Sequence, residues 1–191
     1  MKAKFFNPSH FDERKATQAA AQFIAMAGGK INYMLLMKLL YLMDRQTIAQ
    51  WGRPVTGDEY FSMKYGPVLS EVLDLITNPP EPSVNSYWSQ HISSASNYIV
   101  SLTSDPGDDE LSENEENIIR NTHTAYGGYN QFVLAEHLHE ALPEWTPVER
   151  GRVPIEIRAI LKASNKSESE IKEIEDGIES VHQVKRMFAA R

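Results

Sequence analysis

The 191-residue chain contains no cysteine. That excludes disulfides, thiolate metal sites and a cysteine nucleophile, and it fits a reducing compartment. A long hydrophobic run is missing too. The longest, Ile31 to Met43, is broken by Lys38 and falls short of the roughly 20 apolar residues that cross a bilayer. The opening segment, MKAKFFNPSHFDERK, has lysines but no apolar core, so it does not read as a secretory signal. The expected location is the cytoplasm. No Walker A, GxGxxG or GxSxG pattern occurs, and neither an internal repeat nor a low-complexity segment is present.

An excess of positive charge is also absent. The formal net charge is -7, unevenly distributed: residues 1–66 carry 9 basic and 5 acidic side chains, residues 67–191 carry 10 and 21. A negative overall field argues against nucleic acid as the main partner. The acidic part suits a basic partner or simply forms solvated helix faces. With 41% hydrophobic and 24% charged residues, the composition is that of an ordinary globular protein, large enough for its own core.

The pattern predicts a mainly α protein with a small antiparallel β-sheet, an α+β domain. Residues 1–11 form a lead-in, 12–150 a compact helical domain and 151–191 a C-terminal helical extension. A first helix is expected over Asp12 to Ala27, ended by Gly28-Gly29. Asn32 caps a second, from Tyr33 to Trp51, apolar on nearly all sides and so buried. Gly52, Arg53 and Pro54 stop it, and Thr56-Gly57-Asp58 is turn chemistry. Tyr60 to Tyr65 reads as a strand, and Gly66-Pro67 as the opening of a third helix, with Pro67 at its first position and Ile76 near its end. Asn78-Pro79-Pro80-Glu81-Pro82 closes it. Tyr87 to Ile92 and Tyr98 to Leu102 are expected to form a hairpin, supported by pairing with Tyr60 to Tyr65. Ser112 and Glu115 make a capping box for a fourth helix, stopped by Gly127-Gly128. A fifth follows from Asn130 to Leu142, a short one from Pro154 to Leu161, and a charged last helix from Glu168 to Ala189. Ile171, Ile174, Ile178 and Val181 give that last helix one narrow apolar stripe, suited to docking on the domain or to dimerisation.

Candidate chemistry is sparse. His137 and His139 stand two apart on a helix, about 200° around its axis, and do not share a metal readily. His10, His91, His123 and His182 are scattered. Asp108-Asp109 sits in an exposed acidic turn without a calcium-loop pattern. Lys38, Tyr41 and Arg45 fall at i, i+3 and i+7 on one helical face. Either Lys38 snorkels to the surface along Tyr41, or the three form a polar stripe facing a partner. Lys38, Asp44 and His139 are polar residues within apolar helices, and an enzyme built around them is the alternative reading.

Three sub-motifs occur in order: Lys38-Leu39-Leu40-Tyr41-Leu42-Met43-Asp44-Arg45, then Gly52-Arg53-Pro54-Val55-Thr56-Gly57-Asp58, then Tyr65-Gly66-Pro67-Val68. Together they resemble the Panacea domain of SocA-like antitoxins, a family that includes phage-associated proteins. A later element, Leu134 to His139 with Trp145, matches the family pattern except that Leu138 replaces its usual threonine. The resemblance covers about residues 13–150. It implies a helical domain with a small antiparallel sheet and no catalytic residues, metal or cofactor. It also implies an antitoxin role: direct contact with a protein toxin encoded nearby, or delivery of that toxin to a AAA+ protease as a proteolytic adaptor. The residues expected to contact the partner are Lys38, Tyr41, Arg45 and Tyr65. A helical scaffold that homodimerises through the last helix is a further alternative.

Overall fold

The structure, a computed structural model, describes residues 11–80 and 86–189, with side chains described up to residue 180. The expected lead-in therefore lies outside the described residues except for Phe11, as do Glu81-Pro82 of the helix break, His10, and the side chains of Val181 and His182. The described residues form a mainly helical α+β fold with two small antiparallel sheets.

The buried second helix is its axis. Helix α1 spans Glu13–Met26, with the Asp12 side chain accepting from the Lys15 N–H as N-cap. A three-residue strand, β1 (Lys30–Asn32), leads into α2 (Tyr33–Trp51). Asn32 caps α2 by accepting from the Met34 N–H. Leu36, Met37, Leu39, Leu40, Tyr41 and Met43 are all buried, because α2 is packed on several sides. It touches α1, β1, β3 (Gly66–Leu69), α3 (Ser70–Thr77), α5 (Glu113–Tyr126), α6 (Gln131–Ala141) and α7 (Ile157–Ala163).

Two expectations about prolines are corrected. Gly66-Pro67 does not open a helix. It starts β3, which pairs antiparallel with β2 (Tyr60–Met63) in the register Ser62↔Pro67 and Met63↔Gly66, and α3 begins only at Ser70. Pro154 likewise lies in a strand, β5 (Val153–Ile155), opposite Phe61. The order of this sheet is β3-β2-β5, so both prolines sit on edge strands, where a missing N–H is tolerated. Proline is equally suited to a helix start and to an edge strand, and only the pairing separates the two. Strand β5 carries the sheet past residue 150, and α7 then packs on α2.

The hairpin over Tyr87 to Leu102 is corrected as well. Tyr87–His91 is a helical turn, α4, not a strand. Ser86 caps it, and Glu13 reaches across from α1 to accept from both the Ser86 hydroxyl and the Trp88 N–H. That anchoring buries Trp88 and favours the turn over an extended chain. β4 (Ile99–Ser101) pairs with β1 in the register Ile31↔Val100, not with Tyr60 to Tyr65. The capping box of α5 forms in full: the Ser112 hydroxyl and Glu115 carboxylate each accept from the other's backbone N–H. Glu115 is held further by Lys15 at 2.7 Å.

Helix α8 (Glu168–Ala189) begins docked on the domain. Ile171 is fully buried and Ile174 packs against the core. Ile174 lies over Gly52, the left-handed C-cap of α2 (φ 72°), and a Cβ there would come within 2.9 Å of Ile174 Cγ2. Gly52→Ala should therefore cost about 2 kcal/mol, from left-handed strain plus the collision. In urea denaturation its midpoint should fall, and trypsin should cleave α8 sooner than in the wild type.

Candidate functional site

The three sequence blocks meet in space as one polar seam buried along α2. At its centre is Asp44, which is fully buried. Its Oδ1 accepts from the Val55 N–H (2.7 Å) and the Thr56 N–H (3.1 Å), and its Oδ2 from the Tyr60 hydroxyl (2.8 Å) and the Thr56 hydroxyl. Burial pushes this carboxyl above the ordinary carboxylate range, while the four donors pull it back. Asp44 thus fastens the Gly52–Asp58 loop to the helix that precedes it. The same loop accepts the Asp12 N–H at the Thr56 carbonyl (2.9 Å), which ties in the start of α1.

The loop ends in a second buried carboxylate. Asp58 accepts from the N–H groups of Glu71 (2.9 Å) and Val72 (3.0 Å), capping α3 from outside its own segment, and from that of Glu59. Burial raises its carboxyl to about 7 against the pull of these three donors.

One helical turn along α2, Tyr41 and Arg45 share a partner that the sequence did not point to. The Tyr41 hydroxyl donates to Glu144 Oε1 (2.9 Å), and Arg45 Nε donates to the same oxygen (2.5 Å). The Glu144 side chain is completely enclosed, whereas Arg45 is partly exposed. Tyr41 is buried edge-on to Tyr60, with ring centroids 5.6 Å apart. Glu144 follows Pro143 in a non-helical segment, so no periodicity marks it.

Lys38 does not reach the surface. The residue is 1% exposed, and among the described residues its Nζ donates only to the Pro67 carbonyl, at 3.3 Å. No carboxylate among the described residues forms an ion pair with it, and burial lowers its pKa from 10.5 to about 7. Gly66 roofs the amine: a Cβ at Gly66 would lie 3.1 Å from both Cε and Nζ. His139 is near enough to feel this charge. Burial and then Lys38 lower the His139 pKa, and its Nε2 is buried without a hydrogen-bond partner. The His139 ring stacks flat on Trp145 at 3.9 Å, and Trp145 Nε1 donates to the Met63 carbonyl (3.2 Å). His137 instead stacks against Tyr129.

Lys38 also lines a cleft of about 330 Å³ between the start of α2 and the β2–β3 hairpin. Met34, Met37, Met63 and Val68 contribute to its walls, with Lys64, Tyr65, Glu149 and Arg150 also lining it. Asp44 and His139 are not among its lining residues. Beside it the Tyr65 ring meets Phe132 (centroids 6.1 Å apart), and Phe132, Val133 and Tyr129 are all substantially exposed. Of the four residues expected to contact a partner, Tyr65 is exposed, Arg45 is partly so, and Lys38 and Tyr41 are enclosed.

Among the described residues, no group of three or more His, Asp or Glu is placed to hold a metal ion, and no helix is long and apolar enough to cross a membrane. Residues 36–146, more than half of the chain, match the family model described as antitoxin SocA-like, Panacea domain. No curated protein and no solved structure matches the chain.

Two outcomes follow from the seam. Asp44→Ala leaves four buried donors without an acceptor and should cost about 3–5 kcal/mol in chemical denaturation, with Asp44→Asn milder because its amide oxygen can still accept. Lys38→Met should instead stabilise the protein by about 1–4 kcal/mol at pH 7, since it replaces an amine that must be desolvated or deprotonated on folding with an apolar chain. Between about 7 and 10.5 the folded state holds fewer protons on Lys38 than the unfolded chain does, so wild-type stability gains as pH rises through that window. The margin of Lys38→Met over wild type should therefore shrink from pH 7 to 9.5 in guanidinium titrations. A constant margin would contradict the buried, counter-ion-free amine.

Proposed function

The chain belongs to the SocA-like antitoxin, Panacea-domain family, and from this premise we propose that it is a cytoplasmic protein-binding domain that neutralises a cognate toxin by direct contact. The observation that carries the reading is the match over residues 36–146. Within that span, the sub-motifs read from the sequence supply the buried seam: Lys38, Tyr41, Asp44 and Arg45 on α2, Val55 and Thr56 in the loop, and Gly66-Pro67 in β3. In this reading the seam holds a preformed surface and performs no chemistry. The exposed aromatic pair of Tyr65 and Phe132 suits a protein interface, where aromatic side chains supply much of the binding energy.

An enzyme built on Lys38, Asp44 and His139 has less support. Both Asp44 oxygens are engaged by structural donors, and the cleft beside Lys38 excludes the other two residues. Dimerisation through α8 is also less favoured, because its first apolar positions, Ile171 and Ile174, pack on the chain's own core.

The test is co-expression with the product of the adjacent gene. That product alone should arrest growth, and this protein should restore growth and co-purify with it. A toxic neighbour that is neither rescued nor bound would remove the antitoxin reading. Toxin level distinguishes the two modes. Occlusion leaves the toxin abundant in a complex, whereas adaptor action shortens its half-life, and that shortening should vanish in cells lacking AAA+ proteases. Within the complex, Tyr65→Ala with Phe132→Ala should weaken affinity about tenfold or more while leaving the fold intact.

A further inference from the structure

The cleft at the start of α2 combines features that the antitoxin reading does not by itself require. It is apolar over most of its wall and lined by three methionines, Met34, Met37 and Met63, with Lys38 among them. Methionine walls adapt to differently shaped guests. The Lys38 ammonium is buried beside this wall with one carbonyl acceptor and no counter-ion among the described residues, in a chain whose other buried charges are well satisfied. Glu144 has Arg45 and Tyr41, Glu115 has Lys15 and Ser112, and Asp44 and Asp58 each have several donors. Lys64 and Arg150 add positive charge along the same cleft against Glu149 alone. Gly66 packs directly on the amine, where a Cβ would come within 3.1 Å of Nζ, and both residues line the cleft. A buried cation of this kind is costly until a negative group pairs with it.

We propose that this cleft is a carboxylate-recognition site, and that its occupant is a carboxylate of the protein partner carried on an apolar segment. The apolar part lies against Met34, Met37 and Met63, and the carboxylate supplies the counter-charge that Lys38 lacks. The partner's identity as a toxin rests on the function proposed above, but the cleft's preference for a carboxylate does not. The volume of about 330 Å³ is at the small end of ligand pockets and accommodates one large side chain with its charged group. Tyr65 lines the cleft and also touches Phe132, so a segment seated there continues onto the exposed aromatic surface.

Two measurements on the full chain test this. In the first, the probe is N-acetyl-L-phenylalanine, compared with its uncharged amide, followed by the methyl signals of Met34, Met37 and Met63 in NMR. The carboxylate should bind at least tenfold more tightly than the amide to the wild type, and the difference should disappear in Lys38→Met, which the stability argument expects to fold. Equal responses to acid and amide in the wild type would overturn the site. In the second, calorimetry with the purified adjacent gene product should show at least tenfold weaker binding to Lys38→Met, with Lys64→Glu also weaker. Unchanged affinity, alongside carboxylate selectivity in the first measurement, would overturn the partner as occupant and assign the cleft to a small carboxylic acid. If the wild type binds no such product, the antitoxin reading and the partner occupant both fall, and the probe measurement still decides the site.

Discussion

The Asp44 carboxylate is the constraint on which the other parts depend. Three donors from the Gly52–Asp58 loop and a fourth from the start of β2 converge on its two oxygens, and they come from residues 11, 12 and 16 positions further along the chain. Once that loop is fastened to α2, its other end places Asp58 under the first turn of α3. Its middle receives the start of α1 at the Thr56 carbonyl. Tyr60, held by the same carboxylate, begins the strand that organises the three-stranded sheet. One buried acid thereby sets the relation of three helices and a sheet. It stays buried because it is surrounded by donors, which is the condition under which an enclosed charge is tolerated.

Lys38 stands two turns away on the same helix and has the opposite circumstance. Glu144 draws Tyr41 and Arg45 together into a satisfied group, but among the described residues Lys38 is left with a single carbonyl. A protein selected for stability alone would have little use for such a residue, since an apolar side chain of similar length packs in its place without desolvating a charge. The contrast between the satisfied acids and the unsatisfied cation makes the cleft beside Lys38 the natural place to look for binding.

Much of the helical framework is legible in the sequence, for local reasons. Asn32, Gly52, Ser112 and Asn130 are capping residues next to apolar periodicity, and each helix they bound appears where the pattern puts it. The β structure is legible only in part. Tyr60 to Met63 and Ile99 to Ser101 are extended as expected, yet apart from an Ile92–Leu102 bridge their partners are not those expected, because strands of three or four residues carry too little pattern to specify a register. β1, lying between Gly28-Gly29 and the Asn32 cap, has no signal of its own. Tyr87–His91 is helical through a carboxylate donated by α1, which no local window contains. At the site, the helical face of Lys38, Tyr41 and Arg45 was visible from spacing, but Glu144, which joins two of them, was not.

Apart from α4 and the starts of α3 and α7, most of the helices, with caps such as Asn32 and Ser112, the order of the three motif blocks and the family to which they belong are thus readable from the chain alone. Each of these is encoded within a few residues by propensity, turn chemistry and periodicity. Only packing places Pro67 and Pro154 on sheet edges, encloses Lys38 without a counter-ion among the described residues, and makes Asp44 and Glu144 anchors. Those outcomes depend on which groups arrive from 11 to 103 residues away. Burial and pairing, which set the cost of a charge, exist only once those groups have met.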